Sequence, residues 1–172
     1  MTSVLIILVL IIAVALLFRL DKKDKDEKAE IERIYDGISV FLDRINWNTS
    51  PHRLREIFPN KEFLNSEDQG DLIRTSYKDK FDGQDVIAGF YFSKKGEERL
   101  VKADLHLNIS KSKLDLLFRK LYEKYGAPSF PDENGGESVL WDLEKGILTL
   151  ETQEDQTPLL CLWNRDSYSE IR

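Results

Sequence analysis

The chain has 172 residues, of which 41% are hydrophobic and 33% charged, and its formal net charge at pH 7 is −6. This composition excludes an intrinsically disordered chain and leaves enough length for one domain with a real core. A single cysteine, Cys161, excludes an internal disulfide framework. The negative charge disfavours nucleic acid as a partner.

The first feature along the chain is an uninterrupted apolar run over residues 4–18, directly ahead of Arg19. As a helix, residues 1–18 would be about 27 Å long, against a hydrocarbon core of roughly 30 Å. The run therefore predicts a transmembrane anchor over residues 1–20, with the membrane as a partner. A cleaved signal peptide is the alternative, but the segment lacks a basic start and an A-x-A cleavage pattern.

Lys and Arg residues follow the apolar run closely, and none precedes it. Because such residues favour the cytoplasmic side, the asymmetry predicts a single-pass protein of the inner (plasma) membrane with a cytoplasmic C-terminal domain. A periplasmic or extracellular domain is the alternative. Residues 21–30 are almost all charged and predict a juxtamembrane spacer, which leaves residues 31–172 for the domain.

Two helices are predicted to open the domain. Apolar residues recur at helical spacing over residues 31–45, which indicates an amphipathic helix. Ser50 followed by Pro51 predicts the N-cap and first turn of a short second helix, which Pro59 closes. The polar stretch over residues 60–84 predicts a loop with one edge element around residues 72–77.

A hairpin and a third helix follow. Residues 86–92 and 101–107 predict two paired strands, and the alternation of apolar and polar residues in the second strand predicts one solvent-facing side. Ser112 with Asp115 three positions later resembles a capping box and predicts the start of the third helix. Gly126 is expected to end that helix.

Three more strands are predicted at residues 139–143, 147–150 and 159–163. Since short turns join neighbouring strands, the sheet is expected to be antiparallel. The predicted fold class is α+β, with a single N-terminal transmembrane helix followed by a two-layer domain in which helices pack on the sheet. The order of helix and hairpin recurs along the chain, which makes an internal duplication a hypothesis.

The segment over residues 110–150 resembles a known family. The third helix leads into Tyr125-Gly126-Ala127-Pro128, and Trp141 lies in the strand that follows. This pattern is similar to small bacterial envelope domains of the BamE-like and beta-lactamase-inhibitor-protein-like group. Members of that group act by binding other proteins rather than by catalysis, and the resemblance implies the same here.

No catalytic, cofactor or metal site is predicted. His52 and His106 lack surrounding Cys, His or acidic residues at metal-ligand spacing, and the sequence has no nucleotide-binding or nucleophile motif. His106 beside Asp104 suggests a polar pair rather than a general base. A membrane-bound hydrolase using Asp142 and Glu144 is the least favoured hypothesis, since such a site needs one carboxyl group in an apolar pocket. We therefore expect neither enzyme activity nor a small-molecule substrate.

Acidic residues are concentrated between Asp132 and Asp155, where eight Asp or Glu side chains accompany one cation, Lys145. Such a segment suits a basic protein partner, or else it forms a solvated face that keeps the domain soluble. The partner-binding residues predicted from it are Asp132, Glu133, Asp142, Glu144 and Glu151.

These patterns predict a membrane-anchored protein-interaction domain of the immunity or inhibitor type, which binds a partner protein through an acidic sheet face. A structural accessory subunit of a cell-envelope assembly is the alternative. No nucleic-acid contact is expected, because the basic residues of the third helix fit the solvated side of an amphipathic helix.

Overall fold

A computed structural model describes residues 2–95, 98–129, 138–153 and 157–171, with side chains described from Arg19 to Ser169 within those ranges. This part of the chain contains four helices and seven strands. The helices are α1 (Thr2–Arg44), α2 (Pro51–Ile57), α3 (Lys111–Tyr125) and α4 (Arg165–Ile171). The strands are β1 (Glu67–Gln69), β2 (Leu72–Phe81), β3 (Gln84–Ser93), β4 (Leu100–Leu107), β5 (Val139–Leu143), β6 (Gly146–Thr152) and β7 (Pro158–Trp163).

The seven strands form one antiparallel sheet in the order β1-β2-β3-β4-β7-β6-β5. Strands β2 to β4 are successive neighbours, and so are β5 to β7, because short connections favour antiparallel pairing. The two groups meet where β4 pairs with β7. Strands β1 to β4 follow α2 and strands β5 to β7 follow α3, so a helix followed by strands occurs on both sides of this seam. A common origin of the two halves stays a hypothesis.

Helices α1, α2 and α3 pack on one face of the sheet, which we call the core face. Phe41 of α1 and Phe58, which follows α2, lie against Phe90 of β3 with ring centroids 5.7 and 5.4 Å apart. Leu117 and Leu121 of α3 are fully buried in the same cluster. Alternate strand residues complete this core, among them Ala88, Phe90, Phe92, Ala103, Leu105, Leu148, Leu150, Leu160 and Leu162.

Helix α1 is a single helix of 43 residues that joins three segments the sequence analysis treats separately. Its apolar stripe over residues 31–45 is buried against the sheet, as the helical spacing predicts. Residues 19–30 are mostly exposed and carry ion pairs between side chains one turn apart, such as Lys25 with Asp21 at 2.8 Å. Such pairs stabilise an exposed helix modestly.

The prediction of a transmembrane anchor is corrected here. Among the residues whose side chains are described, which begin at Arg19, no helix is long and apolar enough to cross a membrane. On this finding the fold class with a transmembrane helix, the single-pass description and the inner-membrane localisation are wrong. The side chains of residues 4–18 lie outside the described ones.

Two local signals at helix ends had different outcomes. The Ser50 Oγ accepts a hydrogen bond from the Arg53 backbone N–H at 3.5 Å, which confirms the predicted N-cap of α2. Helix α3 begins after Ser110, so the capping box predicted at Ser112 is wrong. Gly126 ends α3 as predicted, with a φ of 83° that a glycine adopts without strain.

Candidate functional site

The opposite face of the sheet, which we call the outer face, carries the charged residues of the central strands. Because side chains alternate along a strand, β4 places Lys102, Asp104 and His106 on this face. The register of β3 sets Tyr91 beside Lys102 and Gly89 beside Asp104. A polar cluster therefore lies near the middle of the sheet, next to the seam between its two halves.

Two cations of this cluster are fixed against aromatic rings. The Lys102 Nζ lies 4.6 Å from the ring centroid of Tyr91 and 4.5 Å from that of Trp163. The Arg74 Nε donates a hydrogen bond to the Tyr91 hydroxyl at 3.0 Å, and the guanidinium carbon lies 5.7 Å from the same ring. Cation–π contacts of this kind attract the charge to the ring face. The positions of both cations are therefore set by the fold.

Asp104 lies beneath these cations and is 1% exposed. Its Oδ2 lies 3.6 Å from the Lys102 Nζ, and its Oδ1 lies 3.8 Å from the His106 Nε2. Among the described residues, neither oxygen has a hydrogen-bond partner. A buried carboxylate without hydrogen bonds is destabilising, so its presence calls for an explanation beyond packing.

Gly89 makes room for this carboxylate. A Cβ atom at this position would lie 2.3 Å from the Asp104 Oδ1 and 3.4 Å from the Arg74 Nε. Glycine inside a strand weakens the strand and marks a close approach of another group. The glycine of β3 and the aspartate of β4 are therefore matched to each other.

Burial keeps the neighbouring acidic groups neutral. It raises the pKa of the Tyr91 hydroxyl above its usual range, and the charge of Asp104 raises that pKa further. Cys161, which pairs with Asp104 across the β4–β7 seam, is fully buried, and burial raises the pKa of its thiol to about 12. The charge of the cluster therefore rests on Arg74, Lys102 and Asp104.

Helix α4 covers one end of the outer face. Its Tyr168 ring lies against Trp163, with centroids 5.8 Å apart, and its Arg165 Nη2 donates to the Leu143 carbonyl at 2.7 Å. The part over β2 to β4 is more open, since Ile87 is 37% exposed there. The polar cluster lies between the covered end and the open part.

The predicted partner-binding acids that are described lie toward the covered end. Asp142 and Glu151 are both on the outer face, and Glu144 is exposed in the turn between β5 and β6. The carboxylate of Asp142 pairs with Arg165 at 2.6 Å. Asp132 and Glu133 fall outside the described residues.

Sequence reasoning missed most of the central cluster. The alternation in residues 101–107 placed Lys102 with Asp104 and His106 but did not show that the aspartate is buried. A glycine inside an otherwise β-branched and aromatic strand was the available signal for a close approach at Gly89. The contribution of Arg74 depends on the pairing of β2 with β3, which the sequence did not indicate.

The described residues contain no group of three or more His, Cys, Asp or Glu side chains that could hold a metal ion. Comparison of the chain with protein-family models, with curated proteins and with solved structures finds no match. The similarity to BamE-like and beta-lactamase-inhibitor-protein-like domains therefore stays a prediction.

Proposed function

We propose that this chain is a protein-binding module of the immunity or inhibitor type, which engages a partner protein through the outer face of its sheet. The observation that carries the proposal is the pair of ring-bound cations, Arg74 and Lys102, on a face that α1, α2 and α3 leave uncovered. Tyr, Trp and Arg are the side chains most enriched at the centres of protein interfaces.

The partial burial of these side chains supports the proposal. The side chains of Lys102 and Arg74 are 14% and 16% exposed, so each is mostly buried but still reaches solvent. Replacing buried ionic groups with apolar ones is often neutral or stabilising in proteins, so a buried ionic cluster fits a role beyond stability. Prepositioned side chains also lose little entropy when a partner binds.

The acidic end of the face has a separate role in this proposal. Asp142, Glu144 and Glu151 form a rim beside the cluster, where charges act on the rate and orientation of association more than on affinity. They would attract basic groups of a partner, in line with the role predicted for them from the sequence.

Quantitative crosslinking tests the proposal. The tagged full chain is expressed in the cells that produce it, and crosslinked proteins are compared between the wild type and two outer-face variants, Tyr91→Ala and Lys102→Ala. The matched controls are Tyr122→Ala and Lys124→Ala, on the exposed side of α3. We expect one partner to fall by roughly tenfold in the outer-face variants, as for interface hot spots, and to persist in the controls. Recovery of the same proteins with all four variants would refute the proposal.

A second candidate, a structural subunit of a larger assembly, is favoured by a groove between α1 and β2. The groove has a volume of about 380 Å³ and is lined by Phe41, Phe58 and Phe81, while Val40 beside it is 51% exposed. Charged residues such as Arg44 and Asp79 also line the groove, and its aromatic part suits packing against another subunit. In that case Val40→Asp, rather than the outer-face variants, would dissociate the complex.

A further inference from the structure

A row of three exposed side chains runs along α1 at the groove between α1 and β2. Asp36, Val40 and Arg44 all line this groove. They are spaced four residues apart, so they lie on one side of the helix at intervals of about 6 Å. Val40 is apolar, yet it is 51% exposed. Along the chain the row therefore reads as an acid, an exposed apolar residue and a base.

The two charges at the ends of this row are not neutralised within the described part of the chain. The other charged residues that line the groove are in ion pairs, Lys61 with Asp79 at 2.6 Å and Lys80 with Asp85 at 3.2 Å. Among the residues whose side chains are described, the Asp36 carboxylate takes part in no ion pair or hydrogen bond. The Arg44 guanidinium lies over the Phe58 ring at 5.8 Å and likewise has no ion pair among those residues. Both end charges are thus available to a partner.

The apolar side of the groove is held in place by a close contact at Gly37. A Cβ atom at this position would lie 2.8 Å from the Cγ of Phe81, so the glycine lets that ring approach the backbone of α1. Glycine inside a helix is destabilising relative to alanine, which the close approach of the ring explains. Phe81 is half-buried in the same groove as Val40. The two side chains form a prepositioned apolar surface for a partner.

We propose that two copies of this chain associate through this face, with their α1 helices antiparallel and a two-fold axis close to Val40. Residue 40 of one copy then lies against residue 40 of the other. Asp36 of each copy meets Arg44 of the partner copy, because both residues are four positions from Val40. Two ion pairs therefore flank one apolar contact. The row complements itself, as a two-fold interface requires.

Charge complementarity favours a second copy over an unrelated subunit. An unrelated subunit would have to present the same spacing with the signs reversed, whereas an antiparallel copy presents it automatically. The contact involves roughly two and a half turns of helix, so its area is below that of a standard stable interface, and we expect a dissociation constant in the micromolar range. Helix α1 packs on the core face, so the association leaves the outer face of each copy uncovered. The inference is independent of the function proposed above.

Charge reversal tests the pairing of the two helices. Sedimentation velocity over a concentration series gives the dissociation constant of the full chain and its variants. Asp36→Arg and Arg44→Asp should each weaken self-association by about tenfold or more, since each brings like charges together at both ends of the contact. An equimolar mixture of the two variants should associate at least as tightly as the wild type, because every contact then joins opposite charges. The matched control, Lys124→Asp on the exposed side of α3, should behave as the wild type.

Disulfide crosslinking tests the position of the axis. Val40→Cys places one thiol of each copy within reach of the other, whereas Tyr122→Cys is an exposed control on α3, and the native Cys161 is buried. Under mild oxidation, the first variant should form a covalent dimer at least about tenfold faster than the second.

Three results would overturn the inference. They are a wild-type chain that stays monomeric up to the order of 1 mM, an unchanged dissociation constant in both charge-reversal variants, and a mixture of those variants that does not associate. A chain that stays monomeric while Val40→Asp releases a different protein would also overturn it and would support the second candidate function instead. None of these results bears on the outer face, which the crosslinking of Tyr91→Ala and Lys102→Ala tests separately.

Discussion

The two faces of the sheet use the same strands for different purposes. On β4, Ala103 and Leu105 point to the core face and are fully buried among apolar neighbours. Alternating with them, Lys102 and Asp104 point to the outer face and hold opposite charges 3.6 Å apart with little exposure. The first arrangement stabilises the fold by removing apolar surface from water. The second is costly to bury, which fits the binding role that we propose for this face.

The largest effect is expected on the core face. Phe90→Ala removes a fully buried ring that contacts Phe41, Phe58 and Tyr77, so the free energy of unfolding should fall by about 3–5 kcal/mol. Urea unfolding followed by circular dichroism measures this change. A loss as small as that of an exposed control, Tyr122→Ala, would show that the core face does not carry the fold.

Alkaline pH should reveal the buried thiol beneath the outer face. The pKa of Cys161 is raised from 9.0 to about 12, so the folded state keeps a proton that the unfolded state releases between these values. Its contribution to stability is therefore complete below pH 9 and is lost as the pH rises toward 12. The free energy of unfolding is measured against pH for the wild type and Cys161→Ala. The variant should show a shallower decline, and parallel curves would contradict the assignment.

The match between Gly89 and Asp104 predicts a non-additive pair. Gly89→Ala alone should destabilise the fold by about 1–3 kcal/mol, because the new methyl group would meet the Asp104 carboxylate. In the Asp104→Ala background the same substitution should cost much less, since the obstructing oxygen is gone. A double-mutant cycle in urea measures the coupling. Additive effects would mean that the glycine is not there to accommodate the carboxylate.

The smallest effect on folding is expected at the acidic rim. Glu144→Lys changes an exposed turn residue, and the free energy of unfolding should stay within about 0.5 kcal/mol of the wild type. The association rate with the partner should fall, because rim charges steer the encounter. Stopped-flow association at low and high salt measures this effect. An unchanged association rate at low salt would remove Glu144 from the interaction.

Local patterns predicted many elements of the fold. The apolar stripe over residues 31–45, the Ser50 cap and the strands around residues 86–92 and 139–143 follow from spacing and residue type alone. Strand β2 and the three residues of β1 were harder to predict, because their sequences are largely polar. Strand β2 is stabilised by pairing with β3, and β1 by pairing with β2.

The features that could not be predicted from the sequence depend on contacts between residues far apart in the chain. Lys145, the one cation in the acidic segment, donates from its Nζ to the carbonyls of Leu42 and Asp43 at 2.7 and 2.9 Å. These hydrogen bonds satisfy two backbone carbonyl groups at the C-terminal end of α1, about a hundred residues earlier in the sequence. The outer-face cluster also depends on contacts between distant parts of the chain, since Arg74 of β2 contacts the Tyr91 ring and Lys102 lies against both that ring and Trp163 of β7. Nothing local in the sequence indicates either contact.

The measurement that tests the central claim most directly is the affinity of the purified partner for Lys102→Ala and for Lys124→Ala, determined by calorimetry beside their free energies of unfolding. The account predicts that the outer-face variant binds at least about tenfold more weakly than the wild type while remaining folded, and that the helix variant binds normally. Equal affinities for the two variants would contradict the claim that the outer face is the binding surface.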